Sequence, residues 1–564
     1  MSSKLLSVPL LVSALVVSMG APVQPAQVAQ ASQPLNVDRA RLETIEDQTE
    51  SLANDLLEMS VALRRLNITE AGSYFADEVD ANRFPQERTR LREAAPGITL
   101  HQWSIGEGSP RVSREELLAS LASFLSLFPE IEDLRFKVKA SQLENGAEAQ
   151  ARLFFFLVGR NQVGDREWVR GYVNVVAVLP PESDQWQMQR FHFESLDSLV
   201  SEGDLFSEVT ATAGLWEDVP RFGEPPNDGF LAHGVAVGDL NNNGALDLVT
   251  TGVLGNRLFL TDPSGDRVAF EDVSESSLIR YSRDGTGVLV LDYDNDGDQD
   301  IFMAALGEQI LLQNQLRPTG ELVFVDVSLQ TGLHKPAVGF SAVSADVNND
   351  GWSDIYVCSY NRYGQAMPNS WSKASNGTPN LLFVSDGEGG FDEVADIWGV
   401  ADERWSYAAA FADVDGDGRQ DLYVANDFGE NALFMNRGDH FVDEALERGV
   451  LDPGNGMGVS FGDFDNDGDL DLHVTNMSST AGNRILLRLM PEAQAGESVL
   501  KKLAAGNSLF ENLGEGHYRD VSANAGPFSA GWAFGGGFFD YDNDGWEDTF
   551  SVNGFVSGKT MDDT

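Results

Sequence analysis

Apolar positions along the chain follow two rhythms. In NVDRARLETIEDQTESLANDLLEMSVALRRL, from Asn36 to Leu66, they recur at helical spacing, and SREELLASLASFLSLF repeats that rhythm behind a capping box of Ser113 and Glu116. LRFKVKA, ARLFFFLVGR, YVNVVAVL and WQMQRFHF then read as strands. Helices followed by a strand meander predict an α+β domain over residues 35–204, with a curved sheet packed on helices.

Beyond Asp204 the rhythm shortens to a β-rich run, an acidic turn and a second β-rich run. GVAVGDLNNNGALDLVTTG begins at Gly234, GVLVLDYDNDGDQDIFMAA at Gly287 and FSAVSADVNNDGWSDIYVCS at Phe340. YAAAFADVDGDGRQDLYVAN follows at Tyr407, GVSFGDFDNDGDLDLHVTN at Gly458 and GGGFFDYDNDGWEDTFSVNG at Gly535. Between copies lie NALFMNRGDH, NSLFENLGEGH and similar stretches, in which a short apolar strand meets a Gly-containing turn. One unit therefore reads as strand, acidic loop, strand, turn, strand. Six such antiparallel units predict a mainly β region over 205–564, a β-propeller of six or seven blades.

The acidic loops carry the clearest chemistry. Each places acidic or amide side chains at positions 1, 3, 5 and 9, with glycine at position 6 for the sharp turn. Loop 1 supplies Asp239, Asn241, Asn243 and Asp247; loop 2 Asp292, Asp294, Asp296 and Asp300; loop 3 Asp346, Asn348, Asp350 and Asp354. Loop 4 supplies Asp413, Asp415, Asp417 and Asp421; loop 5 Asp463, Asp465, Asp467 and Asp471; loop 6 Asp540, Asp542, Asp544 and Asp548. Alternate positions aim oxygens at one concavity, and the carbonyl of position 7 can join them. That donor set suits Ca²⁺, up to six ions, better than Mg²⁺, and the lack of His or Cys at these positions disfavours zinc and copper. An EF-hand or dockerin would need a bidentate Glu at position 12 and a helix afterwards. Position 12 is Thr250, Met303, Val357, Val424, Val474 and Ser551, in β-rich runs. Carboxylate count grades the sites, and loop 1, with two, is expected to bind most weakly.

Composition narrows the partners. With 88 acidic against 38 basic residues the formal charge is −50, which argues against nucleic acid and anionic membrane. The N-terminus, MSSKLLSVPLLVSALVVSMGAPVQPAQVAQAS, has one cation, a short apolar run and small residues after it. It reads as a signal peptide over residues 1–31, cleaved near 20 or 31, and no later segment is apolar enough to span a bilayer. Cys358 is the single cysteine, so stability cannot come from intrachain disulfides. The expected location is secreted, periplasmic or cell-surface.

The loops with their Phe/Gly-rich approach, as in GVSFGDFDNDGDLDL and GGGFFDYDNDG, resemble FG-GAP/VCBS repeats over residues 205–564. Such repeats build the propellers of integrin α-chains and of the cartilage acidic protein family, whose C-terminal ASPIC/UnbV domain has no counterpart here. The resemblance implies blade-borne calcium loops and extracellular protein or glycan recognition or adhesion. Those propellers usually have seven blades, against six loops here. The N-terminal domain resembles, by pattern, the nuclear-transport-factor-like or cystatin-like layout. That layout often surrounds a pocket, for which Trp103, Phe136, Phe154, Phe156, Trp168 and Trp186 are candidates, although core or rim is the more natural place for them.

No catalytic motif stands in its proper context. GVSFG around Ser460 has the Gly-x-Ser-x-Gly spacing but leads into an acidic loop instead of a helix, and His473 in the following run reads as a packing residue. The alternative to a binding protein is a polysaccharide-active lyase or hydrolase whose carboxylate pair meets on a propeller face. Two long insertions, 360–379 and 486–506, are the first places to seek partner contacts.

Overall fold

The structure, a computed structural model, describes residues 39–106, 111–144, 147–215, 234–252, 255–264, 267–361, 366–479, 482, 499–525 and 531–553. The signal peptide, part of the 360–379 insertion and most of the 486–506 insertion lie outside the described residues. The chain divides into two compact units, one ending at Glu208 and the other covering the described residues from Val209 to Ser479 and from Val499 to Asn553. Among the described residues no helix is long and apolar enough to cross a membrane.

The first unit opens with helix α1, Arg39–Arg64, and a short helix α2, Ile68–Gly72. Strands β1 (Phe75–Ala81), β2 (Arg88–Ala95), β3 (Ile98–Trp103) and β4 (Arg111–Ser113) follow, then helix α3, Arg114–Leu125. The long strands are β5 (Glu130–Glu144), β6 (Glu148–Arg160), β7 (Arg166–Val178) and β8 (Gln187–Ser201). They form one sheet in the order β2-β3-β8-β7-β6-β5, with β1 parallel to β8 and antiparallel to β4. The capping box closes on α3: Ser113 Oγ accepts from the Glu116 N–H at 3.2 Å, and Glu116 Oε2 accepts from the Ser113 N–H at 3.4 Å.

Strict alternation sends one side of the sheet into the core. On β7, Val169, Val173, Val175 and Ala177 are buried, while Trp168, Arg170, Tyr172 and Asn174 point to the other face. Trp103, Phe136 and Trp186 belong to the apolar core, where Phe136 lies 4.8 Å from Phe155 and Trp103 5.2 Å from Phe124. The interior offered for a pocket is thus packed with rings at these three positions. Phe154, Phe156 and Trp168 are half-buried on the opposite face, with the Lys139 ammonium 5.6 Å from the Phe154 ring and the Arg166 guanidinium 5.0 Å from Trp168.

The second unit is a succession of antiparallel sheets, one per acidic loop. The first comprises Val235–Gly238, Asp247–Thr250, Arg257–Thr261 and Phe270–Asp272, each strand beside the next in chain order. The second has Val288–Leu291, Asp300–Met303, Ile310–Asn314 and Phe324–Asp326; the third has Pro336–Ala345, Asp354–Ser359, Leu381–Ser385 and Phe391–Glu393, with Leu306–Glu308 added at its edge. The fourth is built of Trp405–Ala412, Asp421–Phe428, Ala432–Asn436 and Phe441–Asp443. The fifth consists of Gly456–Gly462, Asp471–Asn476, Ser508–Asn512 and Tyr518–Asp520, and the sixth of Ala533–Phe539 and Asp548–Asn553.

Apolar clusters lie between consecutive sheets. Leu240, Val249 and Leu258 of the first repeat pack with Ile301, Ile310 and Leu312 of the second. Phe302 and Leu311 meet Ile355 and Phe383; Tyr356 and Leu382 meet Leu422 and Phe434; Tyr423 and Leu433 meet Leu472 and Phe510. The second, third and fourth sheets thus share apolar clusters with both neighbours, in keeping with near-continuous apolar runs in the second strands: DIYVCS of the third sheet is buried throughout, as is DLHVTN of the fifth, whereas Val235 and Val237 of the first sheet and Phe550 and Val552 of the sixth are exposed. Cys358 sits in one of these strands, fully buried, and burial pushes its thiol up to about 12.

Candidate metal centres in the acidic loops

Each acidic loop joins the first strand of a sheet to the second, and the second strand begins at position 9: Asp247, Asp300, Asp354, Asp421, Asp471 and Asp548. Strands follow position 9 in every case, which removes the EF-hand alternative on structural as well as sequence grounds. The turn is made by glycine at position 6, whose φ lies between 85° and 94° in all six loops, a region that side-chain-bearing residues seldom occupy.

The carboxylate at position 1 folds the loop around itself. It accepts the N–H of the position-6 glycine at 2.7–3.1 Å in every loop, Gly244 to Asp239 and Gly545 to Asp540 among them. Position 5 accepts the N–H of position 7 in all six, as Asp467 does from Asp469 at 3.0 Å. These bonds use some carboxylate oxygens and leave others turned inward.

In loops 2, 4 and 5 the oxygens of positions 1, 3 and 9 come within 4.8 Å of one another, as Asp292, Asp294 and Asp300; Asp413, Asp415 and Asp421; and Asp463, Asp465 and Asp471. In loop 6 the grouped residues are positions 1, 3 and 5, Asp540, Asp542 and Asp544. Loops 1 and 3 carry asparagine at position 3, Asn241 and Asn348, so their carboxylates are fewer. Within these loops, Asp292 Oδ1, Asp298 Oδ1, Asp415 Oδ1, Asp465 Oδ1 and Asp542 Oδ1 are buried without a hydrogen-bond partner. A buried carboxylate oxygen with no donor is costly unless a cation faces it. The aspartates of these loops are thus a donor set that could bind metal ions.

Position 9 has a second task that its place in the loop pattern does not reveal. Its Oδ2 accepts the N–H of position 2, and in five repeats its Oδ1 accepts a third-strand N–H: Thr261, Asn314, Ser385, Asn436 and Asn512, at 2.8–2.9 Å. The same carboxylate ties the loop to two strands. Burial pushes Asp300 up to about 8, with Asp294 and Asp298 adding like charge, and pushes Asp421 and Asp471 up to about 7 and Asp354 to about 6. Each is a carboxylate short of positive charge, which either a proton or a metal cation can supply.

Two further groups of asparagines escaped the sequence reading. Asn314, Asn436 and Asn512, buried at the end of the third strand, donate to the position-2 carbonyl of the preceding loop: Leu240, Val347 and Val414, at 2.8–3.1 Å. The position-4 residues make loop-to-loop bonds, taken up below. The recurring Asn in ILLQN, ALFMN and SLFEN was the available sign of the first group. Ser460 and His473 face each other in register within the fifth sheet; His473 is buried beside the Phe538 ring at 5.8 Å, and burial lowers its imidazole to about 4.

Comparison with known proteins agrees with this geometry. Residues 239–303, 292–357, 346–424 and 413–474 match the FG-GAP-like repeat, each match running from one acidic loop through the next. This stretch of the chain is thus built of FG-GAP-like repeats. The chain is related to cartilage acidic protein 1: the human protein is 29% identical over 239 residues, 40% of this chain and 36% of that protein. The Xenopus tropicalis protein is 26% identical over 243 residues, again 36% of its length. The chain therefore aligns with little more than a third of these curated relatives. Among solved structures, an Agrocybe aegerita lectin that recognises non-reducing terminal N-acetylglucosamine is 14% identical, covering 85% of this chain and 95% of that one, with a TM-score of 0.31. A ketosteroid isomerase-like protein from Erwinia carotovora atroseptica is 15% identical, covering 28% and 97%, with a TM-score of 0.17. Scores this low transfer no fold.

Proposed function

We propose that the second unit is a β-propeller whose acidic loops hold Ca²⁺, and that the protein works outside the cytoplasm by binding a protein or glycan. The observation that carries the calcium reading is the set of buried, unpartnered carboxylate oxygens at position 3 of loops 4, 5 and 6, Asp415, Asp465 and Asp542, with Asp292 at position 1 of loop 2 beside them. Oxygen-only donors in a loop of this size suit a large, flexible coordination sphere. The ligands are positions 1, 3, 5 and 9 of the six loops, with position 9 shared between ion and strand. Recognition outside the cell is supported by the relation to cartilage acidic protein 1 and by the charge of −50, which favours cations and basic surfaces as partners. The first unit is proposed as a nuclear-transport-factor-like or cystatin-like domain, a reading supported by helices that share one apolar core with the buried face of its sheet.

The test is the melting temperature of the protein across a calcium titration, with EGTA at one end and matched magnesium as control. A site occupied at about one hundred times its dissociation constant contributes about 2.7 kcal/mol, so several sites raise the transition by many degrees. A curve that ignores calcium sinks the calcium reading. Binding is then screened on protein and glycan arrays with calcium present and absent.

A further inference from the structure

The residue at position 4 takes no part in the ion reading, yet it is Asn242, Asn295, Asn349, Asn466 and Asn543 in five of the six loops, all at φ between 54° and 60°. In four of them the amide meets the next loop along the chain. Asn242 Nδ2 donates to the Gly297 carbonyl at 3.2 Å, Asn295 to Gly351 at 3.2 Å, Asn349 to Gly418 at 3.2 Å and Asn466 to Gly545 at 3.0 Å. Each acceptor is the position-6 glycine, whose carbonyl precedes the position-7 residue. Loop 1 thus holds loop 2, loop 2 holds loop 3, loop 3 holds loop 4, and loop 5 holds loop 6.

The succession breaks once. Position 4 of loop 4 is Gly416, at φ 73°, and with no side chain there loop 4 sends no such bond to Gly468 of loop 5. The fourth and fifth repeats remain joined elsewhere, through Asn512 Nδ2 to the Val414 carbonyl at 3.1 Å and through Arg448, which lies 3.6 Å from Asp415 and donates to the Glu515 carbonyl. What Gly416 leaves out is the loop-to-loop bond.

We propose that the loops load with cation as two linked series, loops 1 to 4 and loops 5 to 6, separated at Gly416, with the position-4 asparagines as positioning residues for the neighbouring loop. This rests on the cation reading above. An ion drawing in positions 3 and 5 fixes the asparagine between them, and the fixed amide sets the turn that carries the next loop's position-7 carbonyl. Filling one loop therefore lowers the ordering cost of the next, which is positive coupling in the thermodynamic sense.

Tb³⁺, an oxygen-seeking luminescent ion, reads the two series separately, because position 7 is Trp352 in loop 3 and Trp546 in loop 6. The Trp546→Phe protein reports loop 3 and the Trp352→Phe protein reports loop 6. Asn349→Gly keeps a backbone that glycine already adopts at 416. It is expected to raise the Tb³⁺ midpoint of the Trp352 signal about fivefold, the effect of one hydrogen bond, and to leave the Trp546 signal in place. Asn466→Gly is expected to do the reverse. Gly416→Asn has room, since a Cβ there meets no atom within 4 Å, and is expected to bring the loop 6 midpoint down about fivefold. Calcium calorimetry on the unmutated protein separates the two ways of failing. No uptake and no sensitised emission overturn the cation reading and the coupling together. Uptake with midpoints indifferent to Asn349→Gly and Asn466→Gly, or with both signals moved by either one, overturns the two-series coupling and leaves the cation reading standing.

Discussion

In the first unit a single apolar cluster runs from Leu52 on α1 to Leu196 on β8, with Phe84, Trp103, Phe124, Phe155 and Phe191 at its centre. In the second, the apolar side chains are divided among small clusters, each between two consecutive sheets, and every sheet carries a loop of mutually repelling carboxylates. Both are β-rich, but their stability has different sources. The first unit relies on area removed from water, which neither chelators nor moderate salt disturb. The second adds an electrostatic strain among its loop carboxylates, which the proposed cations would relieve. One chain thus contains a core-limited unit and a charge-limited unit, and the two are expected to respond to different perturbations.

Chelation offers the sharpest way to break this comparison. In EGTA the repeat unit is expected to melt well below the N-terminal unit and to recover with calcium, while the N-terminal transition stays in place; calorimetry that shows both transitions falling together would remove the distinction. Phe155→Ala is the converse perturbation. Phe155 is 1% exposed, and its truncation is expected to cost the N-terminal unit about 3–5 kcal/mol with no rescue by calcium, as read by denaturant unfolding. A calcium-dependent rescue would show that the units are not independent in this sense.

Within the repeat unit, Asn436→Ala separates polar architecture from ions. Asn436 donates to the Val347 and Gln420 carbonyls at 2.8 and 3.1 Å and accepts from the Gly438 N–H at 2.8 Å. Its loss leaves buried groups unpaired and is expected to cost about 1–3 kcal/mol equally in calcium and in EGTA. A loss seen only in calcium would make it part of the ion site instead.

The smallest expected effect concerns pH. Burial pushes the Asp427 carboxyl up to about 6, although Tyr360 and Asn455 hydrogen-bond to it and pull the other way. A carboxyl raised in the folded state costs nothing below pH 4, where both states are protonated. Its penalty grows as pH climbs from about 4 to 6 and is complete above that. Asp427→Asn is therefore expected to stabilise the repeat unit by up to about 2 kcal/mol at pH 8 and by nothing at pH 4. Equal stabilisation at both values would mean that a change in packing, and not the charge, is responsible.

How much of this was legible beforehand depended on whether a residue's partner lay close in sequence. The acidic loops, their glycine turn and their flanking strands are local, and repetition in register made them plain. So did the capping box of Ser113 and Glu116. Asn349 was not legible, because its partner Gly418 lies in the next loop, and within its own loop it reads as one more polar residue among aspartates. Asp421 was read only as a ligand for a similar reason: the Asn436 N–H that it accepts belongs to another strand. In the first unit, β2 was missed since RTRLREAA is almost wholly exposed and shows no apolar alternation. The half of Trp168 and Phe156 that faces away from the core could not be told from a buried half, because alternation fixes two faces without saying what covers the second.

The double duty of position 9 bears on how such a chain can change over generations. Loop 1 carries asparagine at positions 3 and 5, yet Asp247 accepts the Leu240 and Thr261 N–H groups at 3.0 and 2.9 Å, and the first sheet is whole. Shape is held by one aspartate, and on the proposed cation reading ion affinity is tuned by the others. A repeat can therefore drift from tight to weak binding, or lose its ion altogether, without unravelling the sheet beside it. On that reading variation at positions 3 and 5 is open to selection on affinity alone, and loops with two, three and four carboxylates form a graded scale on one scaffold.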